Sequence, residues 1–98
     1  MKHQIHFAIQ IVPISTTHHP YTLIDKAIDV IKEAGLRYEV WPMETVIEGD
    51  YDVIMKLIKK AQEACFDAGA DEIVVTMKVH ARRNSDVTWE EKNTGLRD

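Results

Sequence analysis

The fold is decided by the segment 35-GLRYEVWPMETVIEGD-50, which carries two short strand-like runs on either side of a proline. Residues 36–41 alternate apolar and polar side chains, the period of two expected of a strand that is covered on one face. Pro42 cannot continue a strand ladder, so it predicts a tight reversal into a second strand over residues 45–48. The segment therefore predicts a β-hairpin.

One helix is predicted on each side of the hairpin. After it, Gly49 breaks the strand and Asp50 is placed to cap a long helix that ends at Gly69. The apolar residues of this helix share one face: Ile54, Leu57, Ile58, Ala61 and Cys65. Before the hairpin, Thr22 is the predicted N-cap of a helix that ends at a left-handed Gly35. Its apolar residues also recur at helical spacing: Ile24, Ala27, Ile28 and Ile31.

Two longer alternating runs, over residues 4–12 and 72–80, predict the first and last strands. The order strand, helix, strand, strand, helix, strand predicts an α+β, ferredoxin-like βαββαβ sandwich, because right-handed crossovers leave few other topologies. Thr88 and Glu91 have the spacing of a capping box and predict a short C-terminal helix. We expect one domain over residues 1–98.

Composition narrows the classes of partner. The net charge is -4 and no run of lysines or arginines occurs, which argues against nucleic acid because phosphate contacts need clustered cations. No apolar stretch approaches the length of a membrane span, and the polar start lacks the apolar core of a signal peptide, so we expect a cytoplasmic protein. The chain has 98 residues and so only a small core, and added burial in a homo-oligomer would help to stabilise it.

The predicted topology brings polar side chains to both ends of the sheet. The hydroxyls of Ser15, Thr16 and Thr45 are expected at one end, and Arg37 and Glu48 at the other. The helices cover one face of the sheet, and the other is too apolar to be simply solvated, which favours burial against a second subunit.

Few residues suggest chemistry. No phosphate-binding loop, nucleophile elbow or paired cysteines occur, so nothing favours an enzyme. Five histidines raise the possibility of a metal site, but their spacing does not favour one. Glu48, near the end of a central strand, is a costly residue unless it forms a salt bridge with Arg37 or is used in binding. Carboxylate, aromatic and hydroxyl groups together would suit a heteroaromatic cation.

The segment over residues 35–50 resembles the signature of the small thiamine-binding protein family, and the similarity extends over nearly the whole chain. Pro13 after the first strand, the pair Arg82-Arg83 after the last strand and the late pair Glu91-Lys92 also resemble that family. Ser15 and Glu44 depart from it, since the family commonly has glycine at both positions.

The resemblance implies a ferredoxin-like homotetramer that binds thiamine, or its hydroxymethylpyrimidine part, without catalysis and without a further cofactor or metal. The residues expected to bind the ligand are Ser15, Thr16, Tyr38, Thr45 and Glu48. Two alternatives stay open. One is a structural or regulatory oligomer without a small ligand, and the other is a metal-binding stress protein that uses His18, His19 or His80.

Overall fold

The computed structural model describes residues 2–92 and shows the predicted element order. The strands are β1 (Ile5–Ile14), β2 (Arg37–Val40), β3 (Thr45–Gly49) and β4 (Glu72–His80), and the helices are α1 (Pro20–Glu33) and α2 (Tyr51–Asp67). The sheet has the order β2-β3-β1-β4 with antiparallel neighbours throughout. The α+β, ferredoxin-like prediction is confirmed.

The core lies between the two helices and one face of the sheet. Its sheet side is formed by Ile5, Phe7, Ile9 and Ile47, and its helix side by Ala27, Ile31, Ile54, Leu57, Ile58, Ala61 and Cys65. Each fully buried large apolar side chain stabilises the fold by about 1.5–3 kcal/mol relative to an exposed one. The helices therefore cover the face that the alternation in β1 predicted, and they leave the opposite face of the sheet open.

Helix boundaries agree with the predictions except at the start of α1. Asp50 caps α2 by accepting a hydrogen bond from the Val53 amide at 3.1 Å, and Gly35 has the predicted positive φ of 75°. The N-cap of α1 is His19 rather than Thr22, and its Nδ1 accepts from the Tyr21 amide. Pro20 explains the earlier start, because its fixed φ suits the first helical position.

Strand β1 runs two residues beyond its predicted end and passes through Pro13. The Ile14 carbonyl accepts from the Asp71 amide at 2.8 Å, so the backbone polar groups of Ile14 face the β4 side. The missing N–H of Pro13 therefore falls on the β3 side. Because β3 begins at Thr45, opposite Ile9, it does not extend as far as Pro13, and no ladder bond is lost there.

The end of the described chain folds back onto the sheet. Val87 is fully buried and donates its amide to the Gln4 carbonyl at 3.1 Å, while Gln4 Nε2 donates to the Val87 carbonyl at 3.0 Å. The predicted capping box is present, since the Thr88 amide donates to Glu91 at 2.9 Å. A helical turn follows over residues 89–92, and the rest of the predicted C-terminal helix lies outside the described residues.

No helix in the described part of the chain has both the length and the apolar character needed to cross a membrane.

Candidate functional site

Four polar side chains form one row across the open face of the sheet. The strand register places Arg37 opposite Glu48, Glu48 opposite His6, and His6 opposite His80. The Nε2 of His6 donates to Glu48 Oε2 at 2.9 Å, and both side chains are largely buried, with exposed fractions of 5% and 11%. The centre of this row is therefore buried, whereas Arg37 and His80 at its two ends are exposed.

The helical turn at residues 89–92 closes over that row. The backbone amide of Trp89 donates to Glu48 Oε2 at 2.9 Å, so Glu48 caps the turn. The indole lies over the imidazole of His6, with ring centroids 5.1 Å apart, and the Arg37 guanidinium lies 5.2 Å from the indole centroid. His6 is therefore shielded from solvent by the C-terminal segment.

Charge pairing holds this turn in place. Arg37 donates to Glu90 at 2.6 Å, which raises the pKa of the guanidinium and lowers the pKa of the Glu90 carboxyl. Arg82 forms a bidentate pair with Glu91. This pair, with hydrogen bonds from Thr88, lowers the pKa of the Glu91 carboxyl to about 2. Both carboxylates belong to the turn, whereas Arg37 lies on β2 and Arg82 follows β4.

A cavity of about 660 Å³ lies on the open face beside the turn. Its floor includes Ala8 on β1 and Val46 on β3, and the small side chain of Ala8 leaves open space above the centre of the sheet. The hairpin side of the wall consists of Glu39, Trp41, Pro42, Met43 and Glu44. The opposite side consists of Lys78, Val79 and His80 from β4 and Trp89 and Lys92 from the C-terminal turn.

Aromatic and acidic groups meet on the hairpin side. The Trp41 indole is 57% exposed and donates its Nε1–H to Glu39 at 3.1 Å. Glu44 and Lys78 meet across β1, with 3.1 Å between Oε1 and Nζ. An exposed indole face beside carboxylates is suited to a flat cation, because the ring quadrupole and the carboxylates both attract positive charge.

The side formed by β4 and the C-terminal turn is basic. Burial lowers the pKa of Lys92 and outweighs the opposing effect of the Glu91 carboxylate, while the nearby Arg82 lowers the pKa further. Burial also lowers the pKa of His80, and the charges of Lys92 and Arg82 contribute. These groups therefore lie close enough to influence one another's protonation.

The hydroxyls of Ser15 and Thr16 stabilise the loop after β1. Ser15 Oγ donates to the Gly69 carbonyl at 2.9 Å and accepts from the amides of Thr17 and His18. The amide and hydroxyl of Thr16 both contact Asp71. Each hydroxyl thus has a local structural role, and neither residue lines the cavity.

Thr45 and Tyr38 lie on the face that the helices cover. Thr45 is buried opposite Ile9, and Tyr38 packs against the core opposite Ile47. Ser15 lies six residues beyond Ile9 along β1, so Thr45 is about 20 Å from it at the usual strand rise. The structure therefore does not bring the three predicted hydroxyls together.

Glu48 lies beneath the C-terminal turn, where its main partners are His6 and the Trp89 amide. Its distance to Arg37 Nη1 is 3.9 Å, so the salt bridge expected with Arg37 is the weaker contact. Arg37 is bound more closely by Glu90. Ligand binding by Glu48 and by the other four predicted residues stays a prediction.

Sequence reasoning did not assign ligand binding to the residues that line the cavity, although it had placed several of them on the open face. Alternation puts Ala8, Glu39, Val46 and Lys78 on the open face, and this row is present in the register. Trp89 and Lys92 could not be placed, because their position depends on the path of residues 81–88.

Three other residues considered from the sequence have local roles. The ring of His18 packs on Gly69 and its Nδ1 is 2.8 Å from the Thr17 hydroxyl, while His19 caps α1. Burial raises the pKa of the Cys65 thiol. Among residues 2–92, no group of three or more histidine, cysteine or acidic side chains is arranged to hold a metal ion.

The fold and the cavity define a ferredoxin-like α+β domain with a mixed aromatic and charged site on its open sheet face. Residues 7–97 match the family described as thiamine-binding protein. The chain belongs to this family.

Relatives and solved structures agree with that assignment. A UPF0045 protein of Clostridium perfringens is 35% identical over 85 residues, which cover 87% of this chain and 88% of that protein. A domain of unknown function, DUF77, from Bacillus cereus has a TM-score of 0.93 at 43% identity, covering 98% of this chain and 92% of that one. A Thermotoga maritima protein provisionally assigned to thiamine biosynthesis or salvage has a TM-score of 0.84 at 28% identity, covering 96% and 99%.

Proposed function

We propose that this protein binds thiamine, or a related hydroxymethylpyrimidine compound, in the open-face cavity and does not transform it. The family assignment supports a thiamine-related role, and the family is named for binding rather than for a reaction. The observation that carries the proposal is the exposed Trp41 indole, hydrogen bonded to Glu39 at the wall of the cavity. This pair offers stacking and negative charge to the cationic thiazolium ring.

The buried pair His6 and Glu48 supports the site from one side. Glu48 holds both His6 and Trp89, and these two residues line the cavity. Glu48 would thus act on the ligand through its neighbours, as a positioning residue.

Calorimetric titration with thiamine tests the proposal. We expect measurable heat and a rise in melting temperature, since a ligand that binds only the native state stabilises it. Trp41→Ala should weaken thiamine binding by about 1 kcal/mol, the usual worth of a cation–π contact. Tyr21→Ala is the matched control, because Tyr21 is an exposed aromatic residue on α1 outside the cavity.

Two results would count against the proposal. The first is the absence of both heat and thermal shift at millimolar thiamine. The second is an equal loss of affinity in the Trp41 and Tyr21 variants. Titration with hydroxymethylpyrimidine alone then shows how much of the affinity comes from the pyrimidine ring.

We also propose that the protein assembles as a homotetramer. The half of the open face beyond the cavity exposes Val12 and Val74, which lie opposite each other and are 45% and 56% exposed. Such an apolar strip favours pairing of sheet faces between two copies. Strand β4 is at the edge of the described sheet and could pair with a second copy to join two dimers.

A further inference from the structure

The charges around the cavity are separated by sign. The acidic groups Glu39 and Glu44 belong to the hairpin side, and the basic groups His80 and Lys92 belong to β4 and the C-terminal turn. His80 lies opposite His6, which in turn lies opposite Glu48. Glu44 precedes Glu48 by four residues, so His80 and Glu44 are separated by about 13 Å along the strand direction. A ligand lying in the cavity would therefore meet negative charge at one end and positive charge at the other.

The basic groups differ from the other cations near the cavity in their partners. Arg37 is paired with Glu90, Lys78 with Glu44, and Arg82 with Glu91. Within residues 2–92, no ion pair or hydrogen bond is formed by the side chains of His80 and Lys92. They therefore keep their donor capacity for a ligand.

Crowding of positive charge strengthens this contrast. Burial lowers the pKa of Lys92, with Glu91 opposing this change and Arg82 adding to it, and the pKa of His80 is lowered first by burial and then by Lys92. The positive charges of Lys92 and Arg82 thus disfavour protonation of His80, and a bound anion would offset this effect and favour the charged forms of His80 and Lys92. A dianionic group with several acceptor oxygens would do so most effectively.

We propose that the side of the cavity formed by His80 and Lys92 binds a phosphate monoester carried by the ligand, so that a phosphorylated thiamine binds more tightly than thiamine itself. This inference rests on the proposed function and names the form of ligand that the site selects. The aromatic cation lies against Trp41 and Glu39, and the phosphate on its flexible arm reaches Lys92. The ligand is then complementary to the cavity at both ends.

Paired calorimetric titrations with thiamine and thiamine monophosphate, near neutral pH, test the inference. We expect the monophosphate to bind about tenfold more tightly, the effect of one charge-assisted hydrogen bond. Lys92→Met should remove most of this preference, so that the two compounds bind with similar affinities. Lys59→Met is the control, since Lys59 is an exposed lysine on α2 outside the cavity, and it should leave both affinities unchanged.

The outcomes separate this inference from the function on which it rests. Equal affinities for the two compounds, or a preference that survives Lys92→Met, would overturn the phosphate site and leave thiamine binding in place. Absence of heat with both compounds would overturn the proposed function itself, and the phosphate site with it. His80→Gln gives a second test from β4 that does not alter the C-terminal turn, and it should also reduce the preference.

Discussion

Glu48 on β3 caps a helical turn that begins 41 residues later, because its Oε2 accepts the backbone amide of Trp89 at 2.9 Å. The same oxygen accepts from His6 at 2.9 Å. One carboxylate thus joins two strands and the C-terminal segment, and it explains why an acidic residue is tolerated near the end of a central strand.

We expect Glu48→Gln to lower the free energy of unfolding by about 2 kcal/mol, as is usual for hydrogen bonds to a charged group. The neutral amide is a weaker acceptor and adds donors that face the His6 N–H and the Trp89 amide. Urea denaturation measures the change. Glu63→Gln on the exposed side of α2 is the control, and equal stability of the two variants would contradict a structural role for Glu48.

Two glycines with positive φ should differ in their tolerance of alanine. Gly35 has a φ of 75° and open space where a Cβ would lie, so Gly35→Ala should cost about 1 kcal/mol of backbone strain. Gly69 has a φ of 120°, and a Cβ there would lie 2.5 Å from the ring of His18. Gly69→Ala should therefore cost more, about 2–3 kcal/mol.

Thermal unfolding of the two glycine variants checks this order. Adding His18→Ala to Gly69→Ala should recover the part of the loss that comes from the clash, while the part due to backbone strain remains. A Gly35 variant that is less stable than the Gly69 variant would show that the explanation is wrong.

Val74→Glu should weaken assembly if the apolar strip on the open face is an interface, because an unpaired charge would be buried there. Sedimentation velocity gives the oligomeric state. Val53→Glu is a suitable control, since Val53 is similarly exposed at 49% but lies on α2. A wild-type monomer at micromolar concentration, or equal assembly of both variants, would contradict the proposed interface.

The C-terminal turn should loosen in acid. The pKa of Glu91 is lowered from 4.5 to about 2 by its bond with Arg82, so the carboxylate form is favoured in the folded protein. Its contribution to stability is therefore fully present above pH 4.5 and is lost as the pH falls toward 2. NMR titration of the Glu91 carboxyl carbon measures the pKa directly. Arg82→Gln should raise it toward the ordinary value, and an unchanged pKa in that variant would contradict the assigned cause.

The elements of the fold could be predicted because their signals are local. Alternation in residues 36–41 and the apolar stripe of α2 each arise from the repeat of a single element. Caps such as Asp50 act within one helical turn, so they can be recognised from a few neighbouring residues. The start of α1 was misplaced where two local signals competed, since Pro20 favours an earlier start than Thr22 predicts.

The candidate site, in contrast, could not be predicted from such local signals. Register decides that Thr45 lies opposite Ile9 and far from Ser15, and a pattern of residue types along the chain does not specify that offset. Trp89 reaches Glu48, and Trp89 and Lys92 reach the cavity wall, only because residues 81–88 lead the chain back across the sheet. Strands, helices and their order follow from interactions between near neighbours, whereas these contacts join residues far apart in the chain, and only packing of the complete fold brings them together.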